Sequence, residues 1–319
     1  MNKNEFISYA AKEIMNYIPE DMREGLQINP MTVVKINDQK LNGLSFYRED
    51  GVPQPTIYVD EAYERYCDGM PAEEIFKGIA ESYQDACNAK AVPVMPDLEY
   101  QNVRDKFAFR LLEASRNRDY LRNVPYMDVG NGLVMICDIR IGDGGEGHYS
   151  TVVNNDLLRS FGCEKSDVFR SAMENAWTND APVFSTMESK LFPFAEPDNL
   201  FDPDCVKTEH EPMYVLTTKS SIHGAAALFY PDVQEKISDM LEQDYYAIPS
   251  SVHEWIIIPA STDISRGELS EMVKSVNSSM VDPKEVLSDQ LLIYDRNAKA
   301  LQLANADRGR DSQANEMRC

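Results

Sequence analysis

The sequence contains no long hydrophobic run. A transmembrane helix needs about 18 consecutive apolar residues, whereas the longest apolar stretches here, Ala225–Tyr230 and Trp255–Ala260, are only long enough for strands. The first residues, Met-Asn-Lys-Asn-Glu-Phe, lack the basic segment followed by an apolar segment that marks a secretory signal. We therefore predict a cytoplasmic protein that does not enter a membrane.

Basic residues are scarce relative to acidic ones. The chain has 31 Lys and Arg against 53 Asp and Glu, which gives a formal net charge of −22. Nucleic-acid binding requires clustered Lys and Arg that contact phosphates, so we predict no nucleic-acid partner. The acidic residues are dispersed, which favours a role in solubility over mimicry of a nucleic acid. The one locally basic stretch, Arg104–Arg122, is interpreted as the solvated face of a helix and its exit.

Recognisable cofactor and metal motifs are also missing. The six cysteines include no Cys-x-x-Cys pair and no zinc-ligand spacing, so we assign them structural roles. Neither His-Glu-x-x-His nor Gly-x-Ser-x-Gly occurs. The glycine-rich segment Gly142–Gly147 lacks the Gly-Lys-Ser/Thr ending of a phosphate loop and is predicted to be a hairpin turn. The segment Glu209-His210-Glu211 lies in a proline-rich acidic linker, where we expect it to be solvated, and we predict no cofactor and no bound metal.

What the sequence does contain is the composition and patterning of a globular α+β protein. Its 319 residues are 43% hydrophobic and 26% charged, which provides a sizeable core and room for two domains. Helical and strand periodicities alternate, and they predict short antiparallel hairpins packed with amphipathic helices. We divide the chain into an N-terminal αβββαα region at 1–92, a central α/β region at 97–192, a tandem ββα region at 212–303 and a disordered tail at 304–319.

Some elements are predicted from short signals. The dipeptide Asn42-Gly43, which separates two apolar runs, predicts a hairpin turn. Apolar spacing predicts a helix over 102–113 and strands at Leu133–Ile141, Tyr214–Thr218 and Ala225–Tyr230.

Two segments thirty residues apart share the pattern Ser-Ser-aliphatic-His. The residues concerned are Ser220, Ser221 and His223 in the first segment and Ser250, Ser251 and His253 in the second. Each segment lies between two predicted strands that lead to an amphipathic helix, so pseudo-symmetry would place both at one edge of a sheet. Serine hydroxyls commonly bond their own backbone in turns, which gives a purely structural explanation. The alternative is a ligand site built from these hydroxyls and histidines, either an anion cradle or a metal site with His253 and Glu254.

Several motifs together resemble one known family. They are Pro55–Tyr63 with Tyr66 and Gly69, Val124–Tyr126 with the apolar strand ending at Asp138, Ala172–Asn175, Gly224–Ala226 and Ile248–Glu254. In this combination, over residues 3–300, the chain resembles the bacterial domain-of-unknown-function family 5688, which is found in anaerobic gut Gram-positive bacteria. The last two thirds are more faintly similar to domain-of-unknown-function family 1444. Neither resemblance implies a known activity, cofactor or catalytic residue.

The resemblance gives the two serine–histidine segments different weight. The Pro-Ser-Ser-x-His-Glu segment resembles the family's motif, whereas His223 and Thr218 depart from what the family implies at those positions. The resemblance therefore favours His253 and Glu254 over His223 as residues of a functional site.

For function we favour a non-catalytic binding or interaction protein, a hypothesis that also admits an unidentified protein partner. The chain has 16 tyrosines, which suit contact surfaces. The alternative is a hydrolase whose residues are Ser250, Ser251 as nucleophile or anion donor, His253 as base or ligand, and Glu254 as orienting carboxylate. Adjacent strand residues point to opposite faces, so His253 and Glu254 act together only where the strand is bulged.

Overall fold

Helices and strands alternate along the chain, and the computed structural model confirms the predicted α+β fold. It describes residues 1–49, 54–88, 97–144, 147–191, 199–205 and 212–304. The chain divides into two units, unit 1 (Met1–Val94) and unit 2 (Met95–Cys319). All strand pairs in the described ranges are antiparallel. None of the described helices combines the length and the apolar composition needed to cross a membrane.

Unit 1 is a three-stranded antiparallel sheet covered by helices. Its elements are α1 (Lys3–Glu13), α2 (Glu20–Arg23), β1 (Leu26–Val34), β2 (Lys40–Arg48), β3 (Thr56–Tyr58), α3 (Asp60–Cys67) and α4 (Ala72–Asn88). The strands lie in the order β1-β2-β3. Apolar residues of α1 and α4 share one core with the sheet, in which the rings of Phe46 and Tyr83 stack with centroids 4.1 Å apart.

The turn predicted at Asn42-Gly43 is wrong. Both residues lie inside β2, where Gly43 pairs with the two neighbouring strands. The chain reverses instead around Asn37 and Asp38, whose φ angles are 58° and 51°. A Cβ atom at position 43 would lie 3.0 Å from the carbonyl oxygen of Ile57. Glycine at this position therefore permits a close approach between strands, which is its other common role in a sheet.

Asp60, the first residue of α3, connects α3 to β2 and α1. Its carboxylate accepts hydrogen bonds from the backbone N–H of Asn42 at 2.7 Å and from the Asn42 side-chain amide at 2.9 Å, and it forms an ion pair with Lys3. Burial acts to raise the pKa of Asp60, but the hydrogen bonds from Asn42 and Lys3 outweigh burial and lower the pKa from its ordinary value of 3.8. The ionised carboxylate therefore stabilises unit 1.

Unit 2 contains two antiparallel sheets. Its elements are α5 (Tyr100–Val103), β4 (Phe107–Glu113), β5 (Tyr126–Gly130), β6 (Leu133–Gly144), β7 (Gly147–Val152), α6 (Asn155–Phe161), α7 (Lys165–Asn179), β8 (Pro182–Thr186), α8 (Met187–Leu191), β9 (Tyr214–Thr218), α9 (Val233–Leu241), β10 (Tyr245–Ser251), β11 (Glu254–Pro259), α10 (Arg266–Ser279), β12 (Leu292–Asp295) and β13 (Ala300–Leu303). One sheet has the order β4-β6-β5, with β7 also paired to β6, and the other has the order β13-β12-β10-β11-β9-β8.

One hydrophobic core includes residues of both sheets of unit 2. Its buried members include Phe107, Leu133, Phe184, Leu216 and Trp255. The predicted central region, 97–192, and the predicted tandem ββα region, 212–303, contribute to this core together, and β8 of the former pairs with β9 of the latter. The predicted tail lies outside the described residues from position 305 onward.

The helix predicted over 102–113 is wrong for most of its length. Only its first two residues belong to α5, and a short 3₁₀ turn then leads into β4, which pairs with β6. Phe107, Phe109 and Leu111 alternate toward the core, which is a strand period that a longer helical window conceals. Arg110 consequently lies on a sheet face and not on the solvated helix face expected for the basic stretch.

The strand predicted at Ala225–Tyr230 is also wrong. Gly224–Phe229 forms a 3₁₀-helix that packs against β4 and β9. Its residues are buried from Gly224 to Leu228, and periodicity cannot distinguish strand from helix in a short run that is buried on every side. The second predicted ββα unit is formed by β10, β11 and α10, whereas in the first unit β9 is followed by this 3₁₀-helix and then α9.

The substitution Asp60→Asn tests the connection between α3 and β2. We expect it to lower the free energy of unfolding of unit 1 by about 1–3 kcal/mol, because the Asn42 donors and Lys3 lose a half-buried carboxylate. In the wild type, the ionised Asp60 carboxylate makes its full contribution to the free energy of unfolding above the ordinary carboxyl pKa. This contribution is lost as the pH falls through the lowered pKa of Asp60 in the folded state. Hydrogen exchange of β2 and α3 peptides in the full-length protein at neutral pH measures the loss. Glu61→Gln, at an exposed position of the same helix, is the control, and equal protection in both variants would contradict the expectation.

Candidate functional site

The two serine–histidine turns lie side by side in unit 2. The rings of His223 and His253 are stacked, with centroids 5.5 Å apart and an interplanar angle of 15°. The backbone N–H of His223 donates a hydrogen bond to Nδ1 of His253 at 3.1 Å. The first turn, 219–223, follows β9, and the second turn, 250–254, joins β10 to β11. The repeated sequence pattern thus corresponds to two neighbouring turns.

The first turn has a strained backbone. Ser221 and His223 have left-handed φ angles of 57° and 54°, a region that costs non-glycine residues about 1–2 kcal/mol. Gly224 follows directly, and a Cβ atom there would clash with Oγ1 of Thr217 and would lie 2.6 Å from the carbonyl oxygen of His253. Glycine is therefore required for the two turns to approach this closely.

A buried carboxylate anchors the first turn. Asp180, which follows the last residue of α7, accepts hydrogen bonds from the backbone N–H of Ser220 at 2.9 Å and from the Ser220 hydroxyl at 2.6 Å. One of its oxygens also lies 2.6 Å from the guanidinium of Arg140 on β6. The Ser220 side chain therefore has a structural partner, and the position of the turn depends on α7 and β6.

The second turn is fixed by hydrogen bonds to its backbone and to the neighbouring 3₁₀-helix. The Ser251 hydroxyl accepts a hydrogen bond from the backbone N–H of His253 at 3.0 Å, as serines do in turns. The indole N–H of the fully buried Trp255 donates to the carbonyl oxygen of Ala225 at 2.8 Å. These contacts hold the start of β11 against the end of the first turn.

Both ring nitrogens of His253 face groups of the protein. Because Nδ1 accepts a hydrogen bond, the proton of the neutral ring lies on Nε2. That nitrogen is 3.6 Å from a carboxylate oxygen of Glu285. Glu254 lies instead 3.4 Å from the Ser250 hydroxyl and 3.4 Å from Nζ of Lys190. The carboxylate beside the His253 ring is thus Glu285, which was not predicted.

The residues predicted to be catalytic are close in sequence but separate in their contacts. The strand register shifts between Pro249 and Ser251, which is the irregularity that joint action of His253 and Glu254 requires. Within the described part of the chain, however, neither serine hydroxyl of this turn bonds to the His253 ring. The catalytic and ligand-binding roles therefore stay predictions for the full candidate set, which is Ser220, Ser221, His223, Ser250, Ser251, His253 and Glu254.

A second set of polar residues lies on β4 and β6. Core residues of these strands occupy the odd-numbered positions, and Arg110, Asp138 and Arg140 occupy even-numbered positions on the opposite face. Arg110 forms an ion pair with Asp138, whose side chain is only 5% exposed. None of these three residues was predicted. The sequence signal is that Asp138 and Arg140 are charged residues at alternate positions of the otherwise apolar strand β6.

Three buried polar atoms have no hydrogen-bond partner among the described residues. They are Nε of Arg110, Oδ1 of Asp138 and Nδ1 of His223. We call these three residues the polar cluster. A buried donor or acceptor without a partner costs about 1–3 kcal/mol, and such groups are rare in folded proteins. The polar cluster therefore presents hydrogen-bonding groups that the described protein does not use.

The environment of the polar cluster keeps His223 neutral. Burial is the largest of the causes that lower the pKa of His223 to about 2. The nearby Arg110, His253 and Arg140 act in the same direction on this pKa. Burial also raises the pKa of Tyr120 to about 12, with Arg110 opposing the shift. At neutral pH the histidine is therefore uncharged and the tyrosine is protonated.

The remaining chemical motifs add little to this site. Among the described residues, no three His, Cys, Asp or Glu side chains are grouped as a metal site requires. The strands β6 and β7, which flank the predicted glycine-rich turn at Gly142–Gly147, pair with each other as a hairpin does. The segment Glu209-His210-Glu211, which was predicted to be solvated, lies outside the described residues.

Fold and site together define an antiparallel α+β protein with a buried polar cluster beside two adjacent histidine turns. The chain matches the model of the Family of unknown function (DUF5688) over residues 3–296, and it belongs to that family. Three of the segments that resemble family 5688, the strand that includes Asp138, Gly224–Ala226 and Ile248–Glu254, contribute to this site. No curated protein and no solved structure matches the chain. The fainter similarity to family 1444 stays a prediction.

We expect His223→Asn to weaken the acid sensitivity of unit 2. The pKa of His223 in the folded state lies below the unfolded value of about 6.5, so the unfolded chain binds the extra proton and stability is lost as pH falls below about 6.5. Between about pH 6 and pH 4, the wild-type free energy of unfolding should fall by about 1.4 kcal/mol per pH unit more than that of the variant.

Asn suits this substitution because it tolerates the left-handed backbone. Urea denaturation at a series of pH values measures the difference. Above about pH 7 the histidine is neutral in both states, so the slopes of the two pH profiles should agree there. Parallel profiles down to acid pH would show that His223 is not buried as a neutral ring.

We expect Gly224→Ala to destabilise unit 2 by about 1–3 kcal/mol or to prevent its folding. The added Cβ would meet the carbonyl oxygen of His253 at 2.6 Å and the backbone nitrogen of Thr218 at 2.7 Å, and backbone atoms do not yield easily. Gly78→Ala is the matched control, because nothing lies within 4 Å of a Cβ at that helical position. The control should be neutral or stabilising by about 0.5–1 kcal/mol. Thermal denaturation compares the melting temperatures of the two variants with that of the wild type. An unchanged melting temperature for Gly224→Ala would contradict the close packing of the turns.

Proposed function

We propose that this protein is a binding protein that holds a small polar ligand at the polar cluster. The observation that supports this most directly is that three buried polar atoms, on Arg110, Asp138 and His223, have no hydrogen-bond partner among the described residues, and that two of these side chains belong to one ion pair. A ligand that bonds to these atoms removes a desolvation cost that the folded protein otherwise carries. Small-molecule sites typically use a few such placed polar groups to fix the orientation of the ligand.

The backbone of His223 supports the same proposal. Strained conformations of non-glycine residues persist where the surrounding structure imposes them, and they concentrate at ligand sites. Asp180 fixes Ser220 on one side of the histidine, and Gly224 packs against His253 on the other side. The His223 ring is therefore positioned before any ligand arrives, so binding costs little ordering entropy.

The contacts of the second turn agree better with binding than with catalysis. A general base needs a lone pair within reach of the proton that it removes, whereas Nδ1 of His253 accepts a backbone N–H and Nε2 faces Glu285. A serine nucleophile needs a base beside its hydroxyl, whereas the Ser251 hydroxyl accepts from the backbone. The hydrolase alternative stays a prediction, as do the cytoplasmic location, the protein partner and the exclusion of nucleic acid.

A ligand at the polar cluster should raise the melting temperature of the full-length protein. We expect this from at least one compound in a panel of neutral amides, sugars, carboxylates and phosphates. A compound at about ten times its Kd contributes about 1.4 kcal/mol, which corresponds to a shift of about 3–6 °C for a unit of this size. Differential scanning fluorimetry measures the shift.

Two variants make this experiment specific to the polar cluster. The double variant Arg110→Met with Asp138→Leu replaces a buried ion pair with apolar side chains, a change that folded proteins often tolerate, and it should show no ligand-induced shift. Asp156→Asn removes an exposed Asp–Arg pair of α6 and should keep the wild-type shift. The absence of a shift with every compound, or an equal shift in the double variant, would overturn the proposal.

A further inference from the structure

We infer that His253 is a pH-sensitive switch between the two serine–histidine turns, which holds the first turn while its ring is neutral and releases it when the ring is protonated. The bond concerned is the one that the backbone N–H of His223 donates to Nδ1 of His253 at 3.1 Å. Only a neutral imidazole has a lone pair for this bond, because both ring nitrogens of a protonated histidine are donors. The contact between the turns therefore depends on the protonation state of one side chain.

The protonated ring has a different partner on its other side. Nε2 of His253 lies 3.6 Å from a carboxylate oxygen of Glu285, which follows α10. The side chains of His253 and Glu285 are 31% and 52% exposed, so both are open to water. The neutral ring accepts the bond from His223, whereas the protonated ring gains an ion pair with Glu285. Each protonation state thus favours its own contact, as a switch requires.

The other charged groups around the two rings are already paired. Those that contact the second turn or act on His223 form the pairs Glu254 with Lys190, Arg110 with Asp138, and Arg140 with Asp180. The His223 ring, which is stacked on the His253 ring, is kept neutral by burial. Of the groups that the structure describes around the His253 ring, Glu285 is therefore the carboxylate left to pair with its protonated form.

Release affects the backbone at position 223. The left-handed φ of 54° is unfavourable for a residue other than glycine, so His223 relaxes once its N–H loses the acceptor. Both flanks of this residue stay attached. Asp180 still binds Ser220, and the N–H of Ala225 still donates to a carbonyl oxygen of the second turn at 3.3 Å. The protonated state therefore frees a short stretch of the first turn and leaves the fold intact.

Two NMR signals of the ¹⁵N-labelled full-length protein test the switch. The protein is titrated without ligand between about pH 8 and pH 5, the range in which histidine side chains change charge. The ring of His253 reports protonation, and the backbone amide of His223 reports release. We expect the amide signal to shift with the same midpoint as the ring. Its protection against hydrogen exchange, corrected for the intrinsic pH dependence of exchange, should fall about 3–10-fold, which is the effect of one lost hydrogen bond.

His253→Asn is the matched control. The side-chain oxygen of asparagine can accept the same N–H but does not titrate, so the amide of His223 should no longer respond to pH in this variant. Glu285→Gln removes the partner of the protonated ring. The midpoint of the ring titration should therefore move to lower pH by about 0.2–0.7 units, as expected for an exposed ion pair.

A third variant separates the switch from acid unfolding. His223→Asn keeps the backbone donor at position 223 and removes the buried ring that is expected to make unit 2 acid-sensitive. The amide response should persist in it, and far-UV circular dichroism over the same pH range confirms that the protein stays folded.

Three results would overturn the switch. They are an amide at position 223 that does not follow the titration of the His253 ring, an amide that responds equally in His253→Asn, and a His253 ring that keeps one protonation state over the whole range. An unchanged midpoint in Glu285→Gln would overturn the role of Glu285. The switch requires no ligand at the polar cluster, so each of these results is independent of the thermal-shift test of the proposed function.

Discussion

The carboxylate of Asp180 is the contact on which the candidate site depends. It lies at the end of α7 and binds both Arg140 of β6 and the backbone and hydroxyl of Ser220. Three elements that are distant in sequence are thereby joined at one buried group. A buried carboxylate is tolerated only where several donors surround it. Positions 140, 180 and 220 are therefore mutually dependent, and the location of His223 follows from them.

The two faces of β4 and β6 have different roles in unit 2. One face contributes Phe109 and Met135 to the hydrophobic core, and the other carries the ion pair of Arg110 with Asp138. Because side chains alternate along a strand, the rigid packing of the first face fixes the positions of the charged groups on the second. The polar cluster is thus supported by regular secondary structure and not by loops alone.

Much of the fold follows from local signals, whereas the polar cluster does not. Helices α7, α9 and α10 each bury one face in a core, which is the arrangement that apolar residues at helical spacing indicate. Strand β4 was missed because its apolar residues also fit a helical window. The 3₁₀-helix Gly224–Phe229 was predicted to be a strand because a short run that is buried on every side has no distinguishing period. The repeated Ser-Ser-x-His pattern left open whether the two turns are neighbours, and the structure places them side by side. Arg110 and Asp138 meet only through strand pairing, which no local window of sequence contains.

Trp255 has a further consequence for work on this protein. The chain has only two tryptophans, and the fully buried indole of Trp255 donates its N–H to the carbonyl of Ala225, directly after Gly224. A change in the first turn alters the polarity around this ring and hence the wavelength of its fluorescence. The other tryptophan, Trp177 on α7, has the ammonium of Lys236 over its ring at 4.1 Å and so emits from a different environment. The protein therefore carries an intrinsic optical reporter beside the first turn.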